Sequence, residues 1–215
     1  MTAAIVRVCV SPGEASGALD LDGAHRLRAE LARATAEASR GVVISSDGPD
    51  FCRGVDIAAL SRDAEALADA LRTIGDCLLI VRRSELPVIA AVNGQAIGFG
   101  VGLAAACDQV VAAADSTFYL PELVLGFLPR MIAPFLLRRI SRGKLGYLAS
   151  SARPITASEA LSASLVDEIA TDRLQACVEA AEKRLVRTFH QLRRSSNAGL
   201  TRRCRMRLRT ASCKA

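Results

Sequence analysis

What most limits the fold of this chain is a repeated switch between two hydrophobic periods, with turn residues at every change. Residues 41–46 (GVVISS) and 86–92 (LPVIAAV) are short apolar, β-branched runs of the kind that become strands buried on both faces. Between them, Ala64–Arg82 repeats Leu67, Leu71, Ile74, Leu78 and Val81 at helical spacing. The same reading predicts strands at Ala3–Val10, Gln109–Ala113 and Ser116–Tyr119, and helices at Ala24–Ala38, Val101–Cys107, Lys144–Ser150, Thr156–Ser164 and Asp172–Val186. Asp22 is the expected N-cap of the first helix. Strands that alternate with helices imply βαβ crossovers and a largely parallel sheet covered on both faces, an α/β fold.

With 215 residues, 51% of them apolar, the chain can bury a substantial core, and the apolar fraction argues against disorder. The charge of +6 is uneven. Eleven Lys and Arg from Lys183 onward meet no Asp or Glu, so the first 182 residues carry +6 less 11, or −5. One domain is therefore expected over 1–185, followed by a basic extension over 186–215. Nucleic acid is one partner such a tail could attract. With aromatics at 4% and no Trp there is little to stack on bases, so a solvated or partner-facing tail is the plainer reading. No apolar run approaches a membrane span, and the first ten residues lack the pattern of a signal peptide, so a cytoplasmic location is expected. Seven cysteines without a C-x-x-C pair predict reduced, mostly buried thiols. His25 and His190 lie too far apart in sequence to suggest a metal site, and none is expected.

The chemistry concentrates at two strand-to-helix junctions, Phe51–Ile57 and Gly98–Gly100. In a parallel sheet both lie at the carboxyl ends of strands, where ligands bind. Gly54, Gly98 and Gly100 let a substrate approach the backbone, and the second junction opens a helix whose positive dipole end favours an anion. Two N–H groups converging on one oxygen would form an oxyanion hole, although phosphate loops and tight packing use similar turns. No G-x-S-x-G elbow and no G-K-[ST] sequence is present, which leaves acid–base chemistry by carboxylate. Glu122, a charge among apolar neighbours just after a strand, is the candidate; burial would raise its pKa, whereas capping a surface turn would leave it inert.

At these motifs the chain resembles the crotonase, or enoyl-CoA hydratase/isomerase, superfamily. The resemblance rests on Phe51-Cys52-x-Gly54-x-Asp56, residues 87–94 (PVIAAVNG), Ala106-Cys107-Asp108 and Pro121-Glu122-x-x-x-Gly126. A helix around Thr156–Ala160 followed by Leu165-Val166-Asp167 completes the set. It implies a ββα-spiral core with C-terminal helices, assembled as a homotrimer or hexamer. It also implies acyl-thioester substrates on CoA or on the phosphopantetheine of acyl carrier protein, with no cofactor of the protein's own. The family's oxyanion donors fall on the backbone N–H groups of Val55 and Phe99. Of the two glutamates used by its hydratases, one matches Glu122 and the other falls at Gly102. That departure puts simple hydration in doubt. Residues 119–129 (YLPELVLGFLP) and 134–140 (PFLLRRI) are similar to the dehydratases of polyketide β-branching, which act on a 3-hydroxy-3-methylglutaryl group on acyl carrier protein. In that likeness Arg130 is placed to meet a distal carboxylate. An enoyl-CoA isomerase, the partner decarboxylase and a non-catalytic binding protein are the other readings. Asp56 and Asp108 are expected to fix loops by hydrogen bonds.

Overall fold

A computed structural model of the chain describes residues 5–10, 18–37, 39–171 and 174–196. In chain order the elements are β1 (Ile5–Cys9), α1 (Leu21–Ala36), β2 (Gly41–Ser45), α2 (Ile57–Leu60), α3 (Ala64–Arg83), β3 (Val88–Val92), β4 (Gln95–Ile97) and α4 (Phe99–Ala106). There follow β5 (Gln109–Ala113), β6 (Thr117–Tyr119), α5 (Ala133–Leu136), α6 (Arg142–Ser151), β7 (Ile155–Thr156), α7 (Ala157–Ser162), β8 (Glu168–Ala170) and α8 (Leu174–Ser196). Among the described residues no helix is long and apolar enough to cross a membrane.

Five strands form a wholly parallel sheet in the order β1-β2-β3-β5-β8. Its apolar runs are continuous because both faces are covered, and side chains alternate between two cores. Val43, Ile89, Ala91 and Val111 face Cys177, Val178, Ala181 and Leu185 of α8. Val42, Ile44, Val88, Ala90, Val110 and Ala112 join the larger core with α1, α3 and α4. A smaller sheet, β4-β6-β7, has β4 parallel to β6 and β7 antiparallel to it.

Several boundaries differ from the sequence expectation. Asp20, not Asp22, caps α1: its backbone is extended and its Oδ1 accepts the Gly23 N–H at 2.6 Å, which leaves Asp22 inside the first turn. Thr156 closes a capping box with Glu159 rather than lying in the helix it begins. β4, β7, β8 and α2 have two to four residues each, too short to carry a period, and pairing alone defines them. The 185/186 boundary falls inside α8. The remainder of the basic tail, from 197 on, lies outside the described residues. Cys52, Cys77, Cys107 and Cys177 are buried free thiols and Cys9 is half-buried; burial pushes Cys52 up to about 12.

Candidate active site

The two junctions picked out from the sequence are sewn to each other by backbone. Phe51 N–H donates to Asn93 O at 2.8 Å, Cys52 N–H to Gln95 O at 3.2 Å and Ile97 N–H to Cys52 O at 2.9 Å. The loop after β2 thus runs as an extra strand beside β4. Two polar side chains hold the turn between them. Asn93 Nδ2 donates to Gly48 O at 2.8 Å and Pro49 O at 3.0 Å, and Asp50 Oδ1 accepts the Gln95 N–H at 2.9 Å.

Glycine is required where α4 meets this loop. A Cβ built at Gly100 would lie 2.3 Å from Cys52 O, so the first turn of α4 rests directly on the loop backbone. Gly54 has φ +89°, and a Cβ there would lie 3.2 Å from Ile97 O and 4.0 Å from the Phe99 nitrogen. The expected donor loop therefore passes within van der Waals reach of the amide that begins α4. On its other side Leu19 N–H donates to Gly54 O at 2.8 Å and Asp56 N–H to Leu19 O at 2.9 Å. Strand alternation then turns the Val55 N–H away from Leu19. Among the described residues neither the Val55 nor the Phe99 N–H has a hydrogen-bond acceptor. Phe99 is the first helical residue, behind Gly98, which has φ +52° and no side chain to cap the turn.

Glu122 reaches the same place from the second sheet. Tyr119 pairs with Ile97, and Tyr119 O accepts the Gly98 N–H at 2.8 Å, so the residues after β6 are delivered across from Gly98. A Cβ at Gly98 would lie 3.1 Å from Glu122 Oε1. The Glu122 carbonyl accepts the Phe127 N–H at 2.8 Å and closes a tight turn around the side chain. Its Oε2 is buried and has no hydrogen-bond partner among the described residues. Burial pushes the Glu122 carboxyl above the ordinary carboxylate value. A buried acid group with an unpartnered oxygen and two backbone donors without acceptors are the groups that proton transfer beside an oxyanion would need.

The sequence model of the family described as "Enoyl-CoA hydratase/isomerase" matches residues 1–212. The chain belongs to the enoyl-CoA hydratase/isomerase family. It is 29% identical over 195 residues to enoyl-CoA hydratase domain-containing protein 3, mitochondrial, of Mus musculus, covering 89% of this chain and 64% of that protein. It is 32% identical over 134 residues to the mevalonyl-coenzyme A hydratase sidH of Aspergillus fumigatus, covering 59% and 48%. The crystal structure of enoyl-CoA hydratase from Bacillus anthracis superimposes with a TM-score of 0.77 at 28% identity, covering 86% of this chain and 73% of that one. The crotonase-like fold expected from the motifs is therefore present. The chain spans less than two thirds of the first curated relatives it matches, 64% and 56% for the mouse and rat proteins.

Set against the hydratase/isomerase motifs, the structure brings Gly54, Gly98, Phe99, Gly100 and Glu122 together at one end of α4, with Val55 on the adjoining loop. Arg130 is exposed, and its N–H donates to Leu128 O at 2.7 Å rather than to any of these site residues. Asp56 caps α2 by accepting the Ala59 N–H at 2.9 Å, and Asp108 accepts the Val88 N–H at 2.9 Å, both holding loops as expected. Sequence reasoning missed the Asn93–Asp50 stitch. It also missed Arg139, whose guanidinium pairs with Asp167 at 2.9 Å and binds Cys107 O and Asp108 O at 3.1 and 3.0 Å. Both link residues far apart in sequence, so no local pattern announces them.

Proposed function

We propose that this chain is an acyl-thioester lyase that dehydrates a 3-hydroxy-3-methylglutaryl group on acyl carrier protein to the 3-methylglutaconyl group. The observation that carries the reading is the half-buried Glu122 carboxyl, its Oε2 without a partner among the described residues, held against Gly98 at the start of α4 beside the Gly54 loop. The thioester oxygen is held by the Val55 and Phe99 N–H groups while Glu122 takes the C2 proton. The two donors stabilise the enolate more than the ground state, because the negative charge develops on the oxygen they hold. Its electrons then form the C2=C3 bond as the C3–O bond breaks, and Glu122 returns its proton to the departing hydroxide. Water is released and the carboxylate is regenerated.

Support for a tertiary alcohol comes from the mevalonyl-coenzyme A hydratase relative, since a mevalonyl group is itself a 3-hydroxy-3-methyl acyl group. Arg130 is assigned to the distal carboxylate of the glutaryl group. The thioester arm is common to CoA and carrier protein, so both deliver the same reacting atoms and no cofactor of the protein's own is required. Assembly as a homotrimer or hexamer is part of the proposal. An exposed apolar run directly after Glu122 supports it, including Val124 at 68% and Phe127 at 47% exposure. A second reading, transfer of a proton between C2 and C4 of an enoyl thioester, needs the same single carboxylate. Gly102 supplies no second carboxylate and is covered by Ile132, a Cβ there lying 2.3 Å from Ile132 Cγ2, which favours it.

Mass spectrometry of 3-hydroxy-3-methylglutaryl carrier protein and of the corresponding CoA ester, each incubated with the chain, tests the proposal. Loss of one water with the wild type and none with Glu122→Gln is expected. Turnover retained by Glu122→Gln overturns the role of that residue. No water lost from either carrier, together with 3-enoyl to 2-enoyl isomerisation, transfers the assignment to the second reading.

A further inference from the structure

The end of α4 away from Glu122 borders a second pocket, and most of its charged groups are cations. About 330 Å³ of space there is lined by Arg82 at the end of α3, by Cys107 and Asp108 after α4, by Arg138 and Arg139 after α5, and by Asp167 before β8. Asp108 and Asp167 directly precede β5 and β8, so the pocket lies at the amino-terminal edge of the sheet. The Phe99 N–H lies at the other end of α4, about 12 Å away along its eight residues. We propose that this pocket binds a phosphate group, free or carried as a monoester on a small molecule, between the Arg82 and Arg138 guanidinium groups. The proposal is independent of the acyl-thioester reading.

The three arginines are not equivalent. Arg139 is engaged by the fold through Asp167, Cys107 O and Asp108 O, as described above. Asp167 is engaged as well, because the same Oδ2 accepts the Val110 N–H at 2.7 Å. Asp108 Oδ2 is held by the Val88 N–H. Arg139 thus answers the carbonyl end of α4 before its negative dipole reaches the pocket. Arg82 and Arg138 have no comparable use. Among the described residues neither guanidinium has a hydrogen bond or an ion pair. Burial, and then the Arg82 charge, pull the Arg138 guanidinium below its ordinary pKa, with Asp108 opposing. A place in the last turn of α3 suits Arg82, but it does not explain a second arginine brought against it. Two like charges in one pocket repel, and a dianion between them turns that repulsion into attraction. The planar donors of guanidinium match phosphate oxygens in pairs.

The test uses the full chain with Arg82→Gln, Arg138→Gln and the two combined. Inorganic phosphate and ribose 5-phosphate are titrated while the heat of binding and the unfolding midpoint are read, with sodium chloride as the control for ionic strength. Wild type is expected to bind phosphate saturably and to gain a midpoint rise that chloride does not reproduce. Each single substitution is expected to weaken phosphate by about tenfold or more, and the combined variant to abolish binding. In chloride alone the order reverses: Arg138→Gln is expected to unfold at a higher temperature than wild type, because one of two repelling charges is gone. Tighter binding of ribose 5-phosphate than of phosphate assigns the pocket to a phosphorylated small molecule, and the opposite order assigns it to the free ion. Phosphate that stabilises wild type and variants alike is held by another cationic surface, such as the basic tail, and overturns the proposal. A wild type that phosphate stabilises no more than chloride overturns it too.

Discussion

At the scale of single residues, Glu122 combines burial, an unpartnered oxygen and an open N–H pair close by. Each has a measurable consequence. Because its folded pKa is raised, the ionised form costs stability; that cost is absent below the ordinary carboxylate value and grows as pH rises through the folded pKa. Glu122→Gln should therefore raise the unfolding midpoint at neutral pH, and the gain should shrink as the scan is repeated at falling pH. The same substitution should cost roughly 10²–10⁴-fold in turnover. In the wild type the acid limb of kcat/KM should lie above the ordinary carboxylate value of 4.5, because the base must be ionised. Gly98 offers a second test. With φ +52° and a Cβ only 3.1 Å from Glu122 Oε1, Gly98→Ala strains the backbone and displaces the carboxylate. A loss of about 1–3 kcal/mol in stability and a fall in kcat exceeding any change in KM are expected from denaturation and steady-state kinetics.

Among elements, the decisive contact is between α4 and the loop after β2. Gly100→Ala sets a methyl 2.3 Å from a backbone carbonyl that cannot swing aside, so the stitch through Cys52 must open. Destabilisation of about 1–3 kcal/mol by chemical denaturation is expected, with loss of activity even in the molecules that stay folded. Much at this scale was legible beforehand. Continuous apolar runs gave β2, β3 and β5, and the leucine repeat gave α3 to within a residue. β4 has no signature in the sequence, because three residues carry no period and it exists through its pairing with β6 and with the loop at Cys52.

For the whole molecule, the parallel sheet separates two cores by alternation, and α8 seals one face. The apolar residues the fold leaves outside are concentrated next to the site: Leu123, Val124, Leu125, Phe127 and Leu128 are all exposed in the turn after Glu122. A patch of that kind on a single chain is suited to burial between copies. Val124→Asp/Phe127→Asp should reduce the mass measured by light scattering to that of one chain while leaving the circular dichroism unchanged. A wild-type chain that is already monomeric would sink the homotrimer.

The sequence by itself determined the period of each long element, the glycines at the two junctions and the identity of one carboxylate, because these depend on residue type and on neighbours a few positions away. It could not decide that Ile132 fills the space over Gly102, that Asn93 and Asp50 lock the turn, or that Glu122 Oε2 is left without a partner. Those facts arise where segments distant in the chain are pressed together. A contact of that kind has no signature in either segment until packing and hydrogen-bond satisfaction bring the two within a few ångströms.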